Sequence, residues 1–519
     1  MTSPHGTAQV VVAGGGPVGL MAACELALGG VQAVVLERLA QPTGQSRALG
    51  LHSRTVEVFE QRGLLDKIEH QAPVWPKGHF AGLRKVDLTK LAGKHTYALM
   101  VPQSRTEELL AQRAVELGVE IRRGHEVTAL EQHPDGVTVT VRTDDGHYRQ
   151  PAHYLIGCDG GSSTVRKLTG VDFPGTASTV NAVLGDVQIL GERPQARELL
   201  RLPGGLFGMI PLGGDRYRIV AVEFDAEPVA RHIPLTVPEL RETAHRVSGT
   251  WLEIGESYWL SRFGDASRQA AAYRVGRVLL AGDAAHIHFP AGGQGLNTGL
   301  QDALNLGWKL AATVRGTAPD GLLDTYHTER HPVGHRVCMN TRAQLSLMHP
   351  SERITPLRDM FSELLDLPQV NTYIAEMITG LDVRYPMPGI PRHPLVGARL
   401  PALLIHTPDG PVSTPQLLRQ ADALLLDLTD SGAPGDLAKP WHDSVRHIPA
   451  RLDAQEETTG LAAALVRPDG YVAWATADAT DTQGLTTALS TWFTPDATSI
   501  PDATSTDDVT STDEQEGTR

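Results

Sequence analysis

One carboxylate lies where a buried run of sequence gives way to glycine. In Arg277-Val278-Leu279-Leu280-Ala281-Gly282-Asp283, continuing through Phe289-Pro290-Ala291-Gly292-Gly293-Gln294-Gly295-Leu296-Asn297, an apolar strand delivers Asp283 into a glycine-rich turn that opens onto a long helix. A carboxylate there accepts hydrogen bonds from a polyol, and glycine lets backbone approach a flat ring. The free amides of a helix start stabilise negative charge by about 0.3 to 2 kcal/mol. A flavin uses all three, because it carries a ribityl chain and gains negative charge near its pyrimidine edge on reduction. His286 and His288 are two residues apart, but no carboxylate or third histidine follows at ligand spacing, so no metal site is expected.

A second glycine turn lies at the other end of the chain. Val10-Val11-Val12-Ala13 reads as a buried strand, followed by Gly14-Gly15-Gly16-Pro17-Val18-Gly19, a helix from about Val18 to Leu28, and a strand from Ala33 to Leu36 ending at Glu37. Gly14 permits the turn, Gly16 admits a pyrophosphate and Gly19 lets helix pack on strand. Unpaired amides hold the phosphates, and Glu37 accepts hydrogen bonds from a ribose. An adenine dinucleotide is implied, FAD or NAD from this motif alone. The Asp283 segment decides for FAD.

The elements between must position these turns. A polar loop from Gln45 to Arg54 contains Arg47 and runs into a helix from Thr55 to Arg62; it reads either as a solvated helix entry or as a mobile loop beside the flavin ring. Residues 73–100 read as irregular strands. Ser104 and Glu107 have the spacing of a capping box, with Gln103 at the helix entry and able to reach a cofactor. Tyr154 to Cys158 is a buried strand ending at Asp159-Gly160, which in isolation is most simply a turn. From Thr176 to Arg268 short alternating runs predict antiparallel sheet, a natural floor for a substrate pocket. Leu206, Phe207, Met209, Tyr217, Trp251 and Trp259 are candidate lining residues, each of which could equally be core. The helix from Asn297 onward should bury Leu300, Ala303, Leu304, Gly307 and Leu310. Pro386, Pro388, Pro391 and Pro394 mark a linker to a small α/β unit.

Composition limits the partners. The chain of 519 residues is long enough for two to four domains and is 41% hydrophobic, 20% charged and 5% aromatic. The net charge of -14 argues against nucleic acid or an anionic membrane as partner; seven acids and one arginine from Pro495 to Arg519 account for -6 of it and leave -8. That tail, with its repeated Pro-Asp-Ala-Thr-Ser, is expected to be disordered. Cys24, Cys158 and Cys338 form no metal or disulfide spacing, and neither signal peptide nor membrane helix is read, so a cytoplasmic protein is expected.

Together, Gly14 to Gly19 with Glu37, Asp159-Gly160, and Gly282-Asp283 running into Ala291 to Asn297 resemble, in that order, the single-component FAD aromatic hydroxylases of the p-hydroxybenzoate hydroxylase fold. Within that family the sequence is most similar to the bacterial aromatic-polyketide tailoring hydroxylases, over about Ala8 to Phe493. The resemblance implies an α/β fold with a Rossmann-like FAD-binding domain, an inserted mixed or antiparallel-sheet substrate domain and a C-terminal thioredoxin-like domain. The expected division is 1–175 and 271–385 for the FAD-binding domain, 176–270 with 73–100 for the substrate domain, 395–494 for the thioredoxin-like domain and 495–519 for the tail.

The same resemblance places Gly14, Gly16, Pro17, Val18, Gly19 and Glu37 on the ADP half of FAD, Arg47 and Gln103 against the cofactor, and Asp283 on the ribityl chain. Pro290, Gly293, Leu296 and Asn297 would lie against the isoalloxazine, and Asp159 would serve both FAD and the transient nicotinamide donor. Arg38, Ala48, Val127, Gly160 and Gly295 complete the expected cofactor set. Arg47, Pro290 and Gly293 are the candidates beside the reacting ring, and no base is identified. The implied chemistry is reduction of FAD by NADPH or NADH, reaction with O2 to a C4a-hydroperoxyflavin, and transfer of one oxygen to a small polycyclic aromatic substrate. Alternatives are Baeyer-Villiger oxygenation on the same scaffold, a reductase without oxygen insertion, and a non-catalytic flavin-containing binder of aromatic ligands. The Trp-x-Trp-x-Ile-Pro motif of flavin halogenases is absent. The C-terminal unit lacks CxxC, so no redox role is expected there.

Overall fold

A computed structural model describes residues 6–191, 197–227, 229–230, 232–453 and 460–496. The chain begins with β1 (Ala8–Ala13), α1 (Pro17–Leu28) and β2 (Ala33–Glu37), then α2 (Ser53–Gln61), a hairpin of β3 (Lys77–Phe80) and β4 (Leu83–Asp87), and α3 (Gln103–Glu116). Next come β5 (Glu120–Arg123), β6 (Glu126–Gln132), β7 (Val137–Thr143), β8 (Gly146–Gly157) and α4 (Thr164–Thr169). The sheet expected to hold the substrate follows: β9 (Val180–Ile189), β10 (Arg197–Leu202), β11 (Gly205–Gly213), β12 (Arg216–Phe224), α5 (Val237–Ser248) and β13 (Ile254–Phe263). The chain then returns through β14 (Val278–Leu280), α6 (Gln294–Arg315), α7 (Thr325–Met348), α8 (Thr355–Leu364) and α9 (Pro368–Thr379).

β14, β8, β1, β2 and β5 lie side by side and parallel, with β1 at the centre between β8 and β2. Val10, Val11 and Val12 are fully buried, as a strand covered on both faces requires. The first half of β8 pairs antiparallel with β7, and its last residues join the parallel sheet. One strand thus carries the chain from an edge hairpin to Gly157, two residues before Asp159.

The packing of α6 on α1 sets the geometry of the site. An added Cβ on Gly299 would lie 2.6 Å from Val18, and one on Gly307 would lie 2.2 Å from Glu25, so small residues on one stripe of α6 let it lie almost on the α1 backbone. Contacts advance in the same direction along both helices, which therefore run parallel and start at the same end of the sheet. Leu300, Ala303, Leu304 and Leu310 are buried as expected. The helix begins at Gln294 rather than Asn297, because Gly292 and Gly293, with φ of 71° and 66°, complete the turn before it. The expected capping box does not form: α3 starts at Gln103 after Pro102, Ser104 Oγ lies 2.9 Å from Ser46 Oγ, and Glu107 accepts from Gln103 Nε2.

The substrate sheet is antiparallel throughout, in the order β10, β11, β12, β9, β13. Leu240, Ala244 and Val247 of α5 cover one face in a core with Val183, Phe207 and Ile219. The other face carries Ala182, Leu206 and Val222 into a second core with Phe80, Phe289, Ala291 and Met348. Neither helix nor regular strand occurs between Thr379 and Leu404, where the proline cluster lies. Beyond it, β15 (Ala423–Asp427), β16 (Val445–Pro449), β17 (Ala463–Val466) and β18 (Val472–Thr476) precede a last helix, α10 (Leu485–Trp492). Their order is β16, β15, β17, β18, with the first pair parallel and the others antiparallel, the arrangement of a thioredoxin-like unit. Residues 497–519, most of the expected disordered tail, lie outside the described residues.

A buried polar network joins this unit to α6 and α7. Arg467 lies within 2.6 Å of Glu329 and 2.5 Å of Asp469, Lys309 lies 2.7 Å from Glu329, and all four are at most 3% exposed. Burial raises the Glu329 pKa, but Arg467 and Lys309 outweigh it and hold the carboxyl at about 2, below its usual 4.5. Its contribution to stability is therefore complete above pH 4.5 and is lost as pH falls through about 2; the shift corresponds to roughly 3 kcal/mol. Glu329→Gln should cost about 3 to 5 kcal/mol at neutral pH, because two buried cations lose their partner. In urea unfolding followed against pH, the gap between wild type and variant should narrow from pH 4.5 downward, and a constant gap would contradict the assignment.

Candidate flavin site

The parallel arrangement brings two helix starts together, and neither has a side-chain cap. Gly16 precedes α1 and Gly293 precedes α6, and the first-turn amides of both helices are left for another acceptor. The Gly14 turn is sterically closed to other residues: its φ is 109° and an added Cβ would lie 2.4 Å from the Cys158 carbonyl oxygen, while one on Gly19 would lie 2.0 Å from that of Gly14. Around Gly16 and Gly160, by contrast, a Cβ would meet nothing within 4 Å. Glu37 accepts from the Gly15 amide at 2.7 Å and the Leu39 amide at 2.9 Å, so it closes the strand end around the turn. Pro17 is buried and Val18 partly buried, Arg38 is exposed, and Val127 lies buried in β6.

Asp283 is exposed and makes no hydrogen bond or ion pair among the described residues. Pro290 and Gly293 are exposed on the same turn, and Gly295 and Leu296 are half-buried in the first turn of α6. Asn297 faces inward, accepting from the His52 amide at 2.8 Å and donating to the carbonyls of Gly50 and Gly293 at 3.2 and 2.9 Å. It therefore ties the end of the 45–54 loop to the helix start. Gln103 holds the middle of that loop, with its amide donating to the Ala48 carbonyl and its side chain accepting from the Ala48 amide. Arg47, one residue before the Ala48 anchor, is exposed. Burial lowers the pKa of His52 to about 4, so it is neutral at pH 7, and burial shifts His288 downward from its usual value too.

Asp159 has a structural occupation. Its oxygens accept from Ser163 Oγ at 2.5 Å and from the amides of Thr164 and Val165 at 2.6 and 3.0 Å, which fixes the start of α4. Arg166 of α4 then donates to the Ala284 carbonyl, one residue beyond Asp283, at 2.9 Å. Asp159 thus reaches the flavin turn through α4.

The support beneath Asp283 was not legible. Asp302 of α6, fully buried, accepts from the Gly282 amide at 3.1 Å, from His286 Nε2 at 2.8 Å and from Arg330 Nε at 2.7 Å. Burial raises its pKa, yet Arg330 and His286 beside it prevail and keep the carboxyl below its usual range. The one sequence signal is an acid set among Leu300, Ala303 and Leu304.

Four of the six expected lining residues are corrected. Phe207, Met209 and Tyr217 pack against α5 in the core behind the sheet, and Trp251 is 56% exposed beside His245 and Arg241 of that helix. Successive side chains of a strand point to opposite faces, so Leu206 and Phe207 could not both line one cavity. Leu206 faces the flavin turn, in a cavity of about 240 Å3 with Ala81, Gly82, Leu199, Met348 and Arg358. Arg218, unrecognised in the sequence, pairs with Asp186 at 2.7 Å, lies under Trp259 and donates to the Arg47 carbonyl. A second cleft, of about 380 Å3, lies behind the first turns of α6 between Gln301, Arg336, Asn340 and Val383.

A parallel nucleotide-binding sheet, two uncapped helix starts and a free carboxylate at the second define an FAD-binding enzyme with a sheet for its substrate. Known proteins agree. Residues 7–341 match the FAD binding domain model and residues 393–495 the aromatic-ring hydroxylase C-terminal model. The chain is 49% identical over 501 residues to the 12-dehydrotetracycline 5-monooxygenase/anhydrotetracycline 6-monooxygenase of Streptomyces rimosus, covering 94% of this chain and 99% of that one. The solved OxyS anhydrotetracycline hydroxylase from Streptomyces rimosus superimposes with a TM-score of 0.89 at 49% identity, covering 94% and 99%. CabE, an aromatic hydroxylase from angucycline biosynthesis, does so with a TM-score of 0.89 at 45% identity, covering 94% and 100%. The chain belongs to the FAD-dependent aromatic-ring hydroxylases and is an FAD-dependent monooxygenase, with NAD(P)H and O2 as co-substrates.

Because Asp283 is unpaired, its replacement should remove a ligand contact and little else. Asp283→Ala should weaken FAD binding about ten- to hundred-fold, the effect of losing one or two charge-assisted hydrogen bonds, with the unfolding midpoint of the apoprotein almost unchanged. Equal FAD affinity by fluorescence titration would contradict its role.

Proposed function

We propose that this enzyme hydroxylates a small polycyclic aromatic substrate of polyketide type, held between the flavin turn and the flavin-facing side of the substrate sheet. The carrying observation is the composition of that side. Leu206, Val220, Val222 and Phe263 present apolar surface toward Phe289, and the Asp186 and Arg218 pair interrupts it beside Arg47. A flat, apolar molecule with a few oxygen substituents suits such a wall, and the relatives described above are named for substrates of that kind.

In this reading Gly14 to Gly19 and Glu37 hold the adenosine and pyrophosphate end of FAD, Asp283 the ribityl chain, and the α6 start the edge that becomes negative on reduction. Bound FAD supplies the hydride acceptor and the oxygen-activating centre. The protein's residues position and exclude. Asn297 and Gln103 hold the loop that carries Arg47, Arg218 fixes its carbonyl to the sheet, and Phe289 with Leu206 keeps water from the reacting face. A cytoplasmic location supports this chemistry through its NAD(P)H supply. Among the described residues no helix is long and apolar enough to cross a membrane.

FAD-loaded protein should be reduced by NADPH or NADH under anaerobic conditions, and oxygen should then convert a polycyclic phenol, anhydrotetracycline being the first to try, into a product heavier by one oxygen atom. Stopped-flow absorbance and mass spectrometry read both steps. Reduced flavin that yields only hydrogen peroxide with every polycyclic phenol offered would overturn the substrate assignment.

A further inference from the structure

Ala81 occupies the left-handed region with φ of 52°, at the tip of the hairpin between β3 and β4, and is fully buried. A residue with a Cβ remains there only if its surroundings hold it. Its carbonyl accepts from Arg358 Nη1 at 2.6 Å and its amide donates to Gln344 Oε1 at 3.0 Å. From Gln344 the contacts continue inward. Gln344 Nε2 donates to Asn340 Oδ1 at 3.3 Å, Asn340 Nδ2 to Gln294 Oε1 at 3.0 Å, and Gln294 Nε2 to the Ala291 carbonyl at 3.4 Å.

The three carboxamides are at most 2% exposed and are satisfied by one another. The chain can run in one direction only. The Ala81 amide must donate, which turns the Gln344 oxygen toward it, and each following amide is oriented by the one before until a backbone carbonyl ends the series. One end is the turn that walls the 240 Å3 cavity with Leu206 and Met348; the other lies between Pro290 and Gly292 of the flavin turn. Gly292 closes against both outer amides, since an added Cβ would lie 3.3 Å from Gln294 Nε2 and 3.4 Å from Gln344 Nε2.

We propose that Asn340 and Gln344 are positioning residues that couple the flavin turn to the Ala81 hairpin, so that seating FAD orders the wall of the substrate cavity. The proposal rests on the FAD seat and is independent of which substrate the cavity takes. Asn340→Leu tests it, because a side chain of similar shape breaks the middle of the series and leaves the contact to Ala81 in place.

Amide hydrogen exchange would be followed in the peptides containing Ala81 and Gly14 to Gly19, with and without FAD. In wild type, FAD should slow exchange at Ala81 and Gly82 at least five-fold. In Asn340→Leu that response should disappear, while the Gly14 to Gly19 peptide is still protected by FAD. Gln344→Met should abolish the same response and serves where Asn340→Leu does not fold. An Ala81 hairpin indifferent to FAD in wild type, or an undiminished response in the variants, would overturn the proposal. Loss of protection at Gly14 to Gly19 in wild type would instead refute the FAD seat itself.

Discussion

A single buried carboxylate, Asp302, holds the position on which the flavin site depends. It bonds the backbone amide next to Asp283, the His286 ring two residues beyond the turn and the Arg330 guanidinium of the neighbouring helix. A buried anion is costly unless each of its lone pairs is met, and here strong donors meet it from three segments. The strand end, the turn and two long helices are thereby fixed around one atom group, and Asp283 itself is left free for a ligand.

The rest of the architecture follows from keeping that group in place. Parallel packing of α6 on α1, through Gly299 and Gly307, brings the two uncapped helix starts to one end of the sheet. Arg330 also donates to Thr298 and to Tyr385, which lies in the linker before the C-terminal unit. The adjacent residue, Glu329, enters the Arg467 and Asp469 network of that unit. The thioredoxin-like unit is thereby tied to α7 through Glu329, and the linker before it through Arg330.

Local patterns were legible where a residue's task is set by its own segment. The first glycine turn with its flanking strand and helix, and the buried stripe of α6, follow from spacing within about twenty residues. What escaped depends on contacts distant in sequence. Asp302 meets Arg330 across the helix pair, Asp186 meets Arg218 across two strands, and Asn297 meets His52 from 245 positions away. The substrate wall was misread for a different reason. Residue type does not show which face of the sheet a side chain takes; strand alternation does, and it separates Leu206 from Phe207 and Met209. The capping box failed because Pro102 sets the start of α3, and Ser104 finds Ser46 instead.

Asp302→Asn tests the central claim most directly, because it preserves size while removing the charge and presenting an amide to donors. FAD affinity, measured by fluorescence titration of the folded apoprotein, should fall at least ten-fold, with faster hydrogen exchange at Gly282 and at the start of α6. An Asp302→Asn protein that binds FAD with wild-type affinity and shows unchanged exchange at Gly282 would contradict the dependence of the flavin turn on this carboxylate.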